Sequence, residues 1–347
     1  MSAAPIVTGS ATNRTAAGLV VALIAAFSFG FSGALIKPLL EAGWSPAAAV
    51  TVRALIGGVI LLPIALVLVR GRWDAVWRGR WRILAMALIG VAGTQLAYFA
   101  SVQRIPVSTA ILLEYLAPLL LVAFVWARTR KAPKLVVIIG SVVAIGGLVL
   151  VVSPGGGGSL DGLGLVFGVI AMFGCAIYYV LAARPNDGLP PVALAAFGLI
   201  GGGLALGAVG LIGIVPFTAT FTDVALLGNP APWWVPLVIV GLIATALAYA
   251  ASITASEMLG SRLASFAGLL EVVAAALYAW LLLGEELTVT QLLGGLLILA
   301  GIAFVRSDKG EIGAENPDGL ALVPGDESVL PPTAKTEEHP APVTPAL

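Results

Sequence analysis

Runs of about 20 apolar residues, the length a bilayer-crossing helix needs, recur along the chain as far as residue 305, and charges, Pro or Gly separate them. The runs lie at 16–36, 47–69, 83–101, 109–127, 134–153, 162–183, 191–214, 234–254, 263–283 and 289–305. They predict ten transmembrane helices, an all-α polytopic membrane protein. The last run is short and starts after Thr288, a residue type suited to capping a helix. The first exceeds the roughly 7–15 apolar residues of a signal-peptide core, so it is expected to stay as a helix behind a short N-terminal segment, residues 1–15. Beyond residue 305 the pattern stops. Residues 306–347 carry acids and prolines at 317, 324, 331, 332, 340, 342 and 345, and are expected to form a disordered tail.

Composition removes the soluble alternative. Of 347 residues 59% are hydrophobic and 10% charged, with a mean hydropathy of +1.05. A globule in water cannot cover that much apolar surface with so few charges. Eighteen basic residues balance eighteen acidic ones, so no global field draws nucleic acid. Locally the basic residues are uneven. Arg70, Arg72, Arg78, Arg80 and Arg82 cluster after the second run and Arg128, Arg130, Lys131 and Lys134 after the fourth. With Arg14, Arg184, Arg262, Arg306, Lys309 and Lys335 they fall on one side of a ten-helix path, against Lys37 and Arg104 on the other. Because cytoplasmic loops hold positive charge, both termini are expected in the cytoplasm. Trp73, Trp77 and Trp81 then sit near the inner interface, and Trp233 and Trp234 near the outer one. The single cysteine, Cys175, and the single histidine, His339, leave no cluster for zinc, haem or iron–sulfur ligation, and no cofactor is expected.

The runs also repeat. Gly90 to Tyr98 reads GVAGTQLAY and Gly241 to Tyr249 reads GLIATALAY. ILLEYLAPLL at 111–120 matches GLLEVVAAAL at 268–277, and Gly140 and Gly147 correspond to Gly294 and Gly301. Residues 16–153 and 162–305 are therefore expected to be two homologous five-helix units, joined near the PGGGG run at 154–158. Five is odd, so successive units enter the membrane from opposite sides as inverted repeats, the arrangement of many secondary transporters.

Arg53, the LEYLAPLL segment from Leu113 to Leu120, and AWLLLGEELTVTQLLGGLLILAG from Ala279 to Gly301 resemble the drug/metabolite transporter superfamily, specifically its EamA type with ten helices. The resemblance covers residues 16–305. The Leu113, Glu114, Tyr115, Pro118, Leu119 pattern is most similar to the threonine/homoserine exporter branch. It implies amino-acid export across a bacterial plasma membrane. One departure is that Val272 follows Glu271, where the family's second repeat usually has Pro, so a helix break there is not assured.

Arg53, Glu114 and Glu271 fall inside apolar runs, where each costs at least about 2.5–3.5 kcal/mol to insert, so they are read as a transport pathway with proton coupling. Arg53 either pairs with a glutamate or holds a substrate carboxylate. Pro118 removes the hydrogen bond that the Glu114 carbonyl would accept. Thr94, Gln95, Tyr98, Tyr115, Pro118, Thr245 and Tyr249 are candidates to line the substrate cavity, and the same threonines equally suit helix packing. Glu285 and Glu286, at the amino end of the last helix, read as structural residues of the outer surface. The function expected is proton-coupled secondary transport of a small molecule within the lipid bilayer, without nucleic acid and without catalysis. The alternatives are a membrane scaffold or sensor that does not transport, and an intramembrane lipid-modifying enzyme.

Overall fold

A computed structural model describes residues 9–130, 132–152, 161–182, 188–226 and 228–307; side chains at 9–15, 256–268 and scattered sites including Pro118 lie outside that description. The PGGGG junction and residues 308–347 of the expected tail also lie outside it. Helical backbone underlies every one of the ten apolar runs. The helices are α1 (Gly9–Glu41), α2 (Pro46–Val69), a short α3 (Trp73–Arg78), α4 (Arg80–Val102), α5 (Val107–Glu114) and α6 (Ala117–Thr129). They continue with α7 (Leu135–Val152), α8 (Gly162–Ala182), α9 (Pro191–Leu211), α10 (Trp234–Ser252), α11 (Leu269–Leu283) and α12 (Val289–Ser307). A small antiparallel hairpin, β1 (Val224–Leu226) with β2 (Asn229–Ala231), precedes α10.

Residues 16–41 of α1, together with α2, α4, α9 and α10, are long and apolar enough to cross a membrane unaided, and Leu135–Val151, Gly162–Tyr178, Leu269–Leu283 and Val289–Phe304 are shorter apolar helices. The fourth run is broken between α5 and α6. Helix ends follow local chemistry. Ser45 caps α2 by accepting from the Ala48 N–H, and Pro46 occupies the first turn, where its missing donor costs nothing. Thr288 and Gln291 form a reciprocal capping box: each side chain accepts the other's backbone N–H, at 3.2 and 3.1 Å. α1 starts at Gly9, earlier than its apolar run, because helix can continue into polar residues outside an apolar layer.

Helical backbone runs from Trp234 through to Leu283. A straight helix of that length would extend about 75 Å. Both of its ends nevertheless meet the α1–α2 turn region: Trp233 stacks on Trp44 with centroids 5.8 Å apart, and Glu285 reaches Lys37 at 2.6 Å. The chain therefore doubles back between α10 and α11, with α1 packed against both limbs. The end marked by Trp44 also holds the α4–α5 turn, since the Val107 N–H donates to Glu285. Arg104 of that turn pairs with Asp161, which caps α8 through the Gly164 N–H at 2.7 Å. So α8 begins at the end of the molecule where α1 finishes.

Small residues set the closest helix crossings. A Cβ on Gly147 of α7 would come 2.8 Å from the Ile298 nitrogen and against the Gly294 carbonyl of α12, so only glycine permits this backbone approach. α2 crosses α9 in the same way, with Gly203 against Leu55.

Candidate functional site

The site is assembled where α1, α2, α4, α5, α10 and α11 converge. Its centre is Arg53, projecting from the first half of α2 and 4% exposed. Its Nη1 donates to the Ser32 hydroxyl of α1 at 2.5 Å and to Gln95 Oε1 of α4 at 3.1 Å. Nη2 donates to the Ala244 carbonyl of α10 at 3.5 Å, and the guanidinium lies 5.2 Å from the Phe99 ring centroid, a cation–π arrangement. All these partners are neutral. Among the described residues no carboxylate lies within ion-pair distance of Arg53.

Glu114 and Glu271 are half-buried and lie within Coulombic reach of Arg53 and of each other. Their settings differ. Glu271 Oε2 accepts from the Tyr115 hydroxyl at 2.5 Å, a short charge-assisted bond between α11 and the α5–α6 break. The Glu114 carboxylate makes no hydrogen bond among the described residues. The break next to it is explicit: α5 ends at Glu114, the Leu116 N–H bonds Leu113 at 3.1 Å in a tightened turn, and α6 restarts at Ala117 with Pro118 in its first turn. Pro118 has no N–H, so the Glu114 carbonyl lacks its usual helical donor. α11 continues through Val272 unbroken, which answers for this chain whether the second unit bends at its glutamate.

The other predicted lining residues divide. Gln95 holds Arg53 directly. Tyr98 is buried edge-on to Phe99 at 5.0 Å, with its hydroxyl against Gly33, and Tyr249 is buried edge-on to Phe29 at 5.1 Å. Thr94 turns inward to its own helix, where its hydroxyl donates to the Ile89 carbonyl at 2.7 Å, five residues back. That spacing belongs to a π-helical stretch, Met86–Gly93. The repeat-related α10 contains another, Leu242–Leu247, which ends just after Thr245. The Thr245 hydroxyl is buried and has no hydrogen-bond partner among the described residues.

Residues 16–153 and 162–307 both match the EamA-like transporter family. The chain belongs to that family. EamA-like transporters are multi-pass membrane proteins of the drug/metabolite transporter superfamily, and the chain is a transporter rather than an enzyme. It is 26% identical over 309 residues to YicL of Salmonella typhimurium, an uncharacterized inner membrane transporter, covering 85% of this chain and 97% of that protein. It is also 26% identical over 212 residues to an uncharacterized transporter of Archaeoglobus fulgidus, covering 60% of this chain and 70% of that protein. A crystal structure with a TM-score of 0.55 and 18% identity, matched over 83% of this chain and 96% of the other, shares the fold.

Within this EamA architecture, several residues were not legible as site residues. Ser32 and Phe99 hold Arg53, and neither stands out from the apolar runs around it. Lys37, placed on the outer side, and Glu285, read as a structural residue of the outer surface, form a partly buried pair at 2.6 Å. The only signal for it was the Gly284–Glu285 step before the last helix.

Proposed function

We propose that this EamA-like transporter moves a small zwitterion such as an amino acid out of the cell, coupled to protons, through alternating access of the units 16–153 and 162–305. The observation that carries the reading is Arg53. A guanidinium removed from water is costly unless an anion or a complete set of hydrogen bonds compensates it. Here neutral groups occupy only part of its five-donor fork. A substrate carboxylate would complete it. The Glu114 carboxylate, bare of hydrogen bonds among the described residues, would then face the substrate ammonium.

One fixed cation and two carboxylates leave a net negative charge when both acids are ionised. In a bundle of low dielectric a proton or a substrate ammonium can neutralise it, and exchange of one for the other couples their movements. The Tyr115–Glu271 bond links the unit that carries Glu114 to the unit that carries Glu271, so a change at either acid reaches the other. Arg70, Arg72, Arg78, Arg80 and Arg82 crowd one end of the bundle, favouring cytoplasmic termini in the cell membrane. The resemblance of the Glu114 segment to threonine/homoserine exporters favours the outward direction.

The test compares the medium of cells that make the native chain with that of cells making Glu271→Gln at equal membrane abundance. An amino acid that accumulates outside only with the native chain supports the proposal and names the solute. Identical media under conditions of amino-acid excess would sink the export reading.

A further inference from the structure

We propose that Lys37 and Glu285 form the gate that closes the Trp44 end of the molecule over the Arg53 site, a reading that rests on the transport function above. The pair sits one level beyond the site on the helices that carry it. Lys37 follows Ser32, Arg53's partner, by five residues of α1, about 7.5 Å along the axis. Val107 precedes Glu114 by seven residues of α5, about 10 Å. Glu285 bridges the two helices. Its Oε1 accepts from Lys37 Nζ at 2.6 Å and from the Val107 N–H at 3.0 Å, and its Oε2 accepts from the Ser108 hydroxyl at 3.3 Å. Glu285 lies in the turn between α11, which bears Glu271, and α12. One carboxylate thus ties two helices of residues 16–153 to a turn of residues 162–305.

Three features distinguish this clamp from a static brace. A partly buried ion pair gives little net stability compared with apolar packing, so stability alone does not account for it. Every group in it is an ion, a backbone N–H or a hydroxyl, and water can satisfy each once the clamp parts. The fixed seams of the bundle are apolar by contrast, as where Gly147 meets Gly294. Glu285 also hangs from Gly284, which sits at φ +66°, a left-handed conformation natural to glycine at a helix end. Beside the clamp, residues 218–220 strap the α1–α2 turn. The Trp44 Nε1–H donates to the Thr220 carbonyl at 2.6 Å and the Ser45 N–H to the Thr218 carbonyl at 2.9 Å. The Trp44 end is thereby shut in this structure, with Ser32, Arg53 and Ser108 all buried beneath or within it.

The experiment places one reporter cysteine at Ser32, in a Cys175→Ser background. Its modification rate by a membrane-impermeant methanethiosulfonate is measured on intact cells and on inside-out vesicles. Opening the gate should raise the rate from one membrane side only. Glu285→Gln should raise it about tenfold, Lys37→Met less and Ser108→Ala least, because the first takes the charge from all three contacts, the second removes the 2.6 Å ion pair and the third removes one 3.3 Å hydrogen bond. Unchanged rates on both sides in Glu285→Gln and Lys37→Met, with each protein keeping the melting temperature of its parent, would overturn the gate. Modification needs no solute flux. A raised rate in the variants together with no export by the native chain therefore counts against the transport proposal alone, and export by the native chain with unchanged rates in the variants counts against the gate alone.

Discussion

Glu114 and Glu271 occupy matching places in a repeated Leu-Leu-Glu sequence 157 residues apart, yet the molecule treats them differently. Glu114 ends a helix. Its carboxylate has no hydrogen bond among the described residues, and a broken backbone lies directly beyond it. Glu271 lies within a continuous helix and holds the Tyr115 hydroxyl. The difference traces to two positions after the acid. Tyr115 and Pro118 follow Glu114, where Val272 and Ala275 follow Glu271. Pro118 deprives the Glu114 carbonyl of a donor, and Tyr115, in the turn between α5 and α6, reaches across to the other acid. One motif thus supplies an unanchored carboxylate next to movable backbone and an anchored one on a rigid helix. A carrier that must both bind and move can use each.

The harshest way to break this asymmetry is to copy the proline. Ala275→Pro would remove a helical hydrogen bond from α11 beside its contact with α1, where Gly30 already lies against the Ala275 nitrogen. A proline inside a helix costs about 3 kcal/mol or more, so the variant should lose thermal stability in detergent and membrane abundance. A normal melting temperature would mean that α11 tolerates the bend of α5–α6, and that the two acids are more alike than their backbones indicate.

Removing the charge they share comes next. Arg53→Met keeps the length and apolar character of the side chain's stem and deletes the cation. Losing a buried charged partner typically costs 2–5 kcal/mol of binding, so solute flux into proteoliposomes should fall by about 100-fold. The melting temperature should hold or rise, because a buried charge is replaced by apolar packing. Flux within a few-fold of native would remove Arg53 from the substrate path.

Tyr115→Phe makes the second acid resemble the first. It deletes only the hydroxyl at 2.5 Å from Glu271 and leaves the ring. Loss of a hydrogen bond to a charged group costs about 1.5–3 kcal/mol, so the melting temperature should drop modestly. Double-variant cycles with Glu271→Gln should show a strong interaction energy, whereas cycles with Glu114→Gln should be nearly additive. Additivity in both would indicate that the Tyr115 contact carries no energy.

The sequence made some of this legible and hid the rest for physical reasons. Charges in apolar runs are conspicuous because lipid penalises them, so Arg53, Glu114 and Glu271 stand out without any structure. The Thr288 cap is local chemistry, and the Gly147 and Gly294 pattern survives as spacing. Pairings between residues far apart in the chain leave no such trace. Tyr115 with Glu271, and Lys37 with Glu285, join residues 156 and 248 positions apart. Glu285 read as a surface acid because it borders a helix start, although its carboxylate reaches α5. The π-helical stretches in α4 and α10 were equally hidden, since one extra residue in a turn changes neither composition nor hydropathy.

The mildest change is Pro118→Ala, and it isolates the break itself. Alanine restores an N–H that the Glu114 carbonyl can accept from and carries the best helix propensity. Proline in the first turn of α6 costs little where it stands, so the gain in stability should be below about 1 kcal/mol. Its effect should appear in motion. If the α5–α6 break lets Glu114 exchange its partner during the cycle, restoring the helix should slow flux several-fold while solute affinity stays near native. Raised amide-exchange protection across residues 114–118 should accompany the slowing, because the new hydrogen bond lies there. Slowed flux without added protection would place Pro118's contribution in side-chain packing, and added protection at native flux would show that the break is a fixed feature of the path.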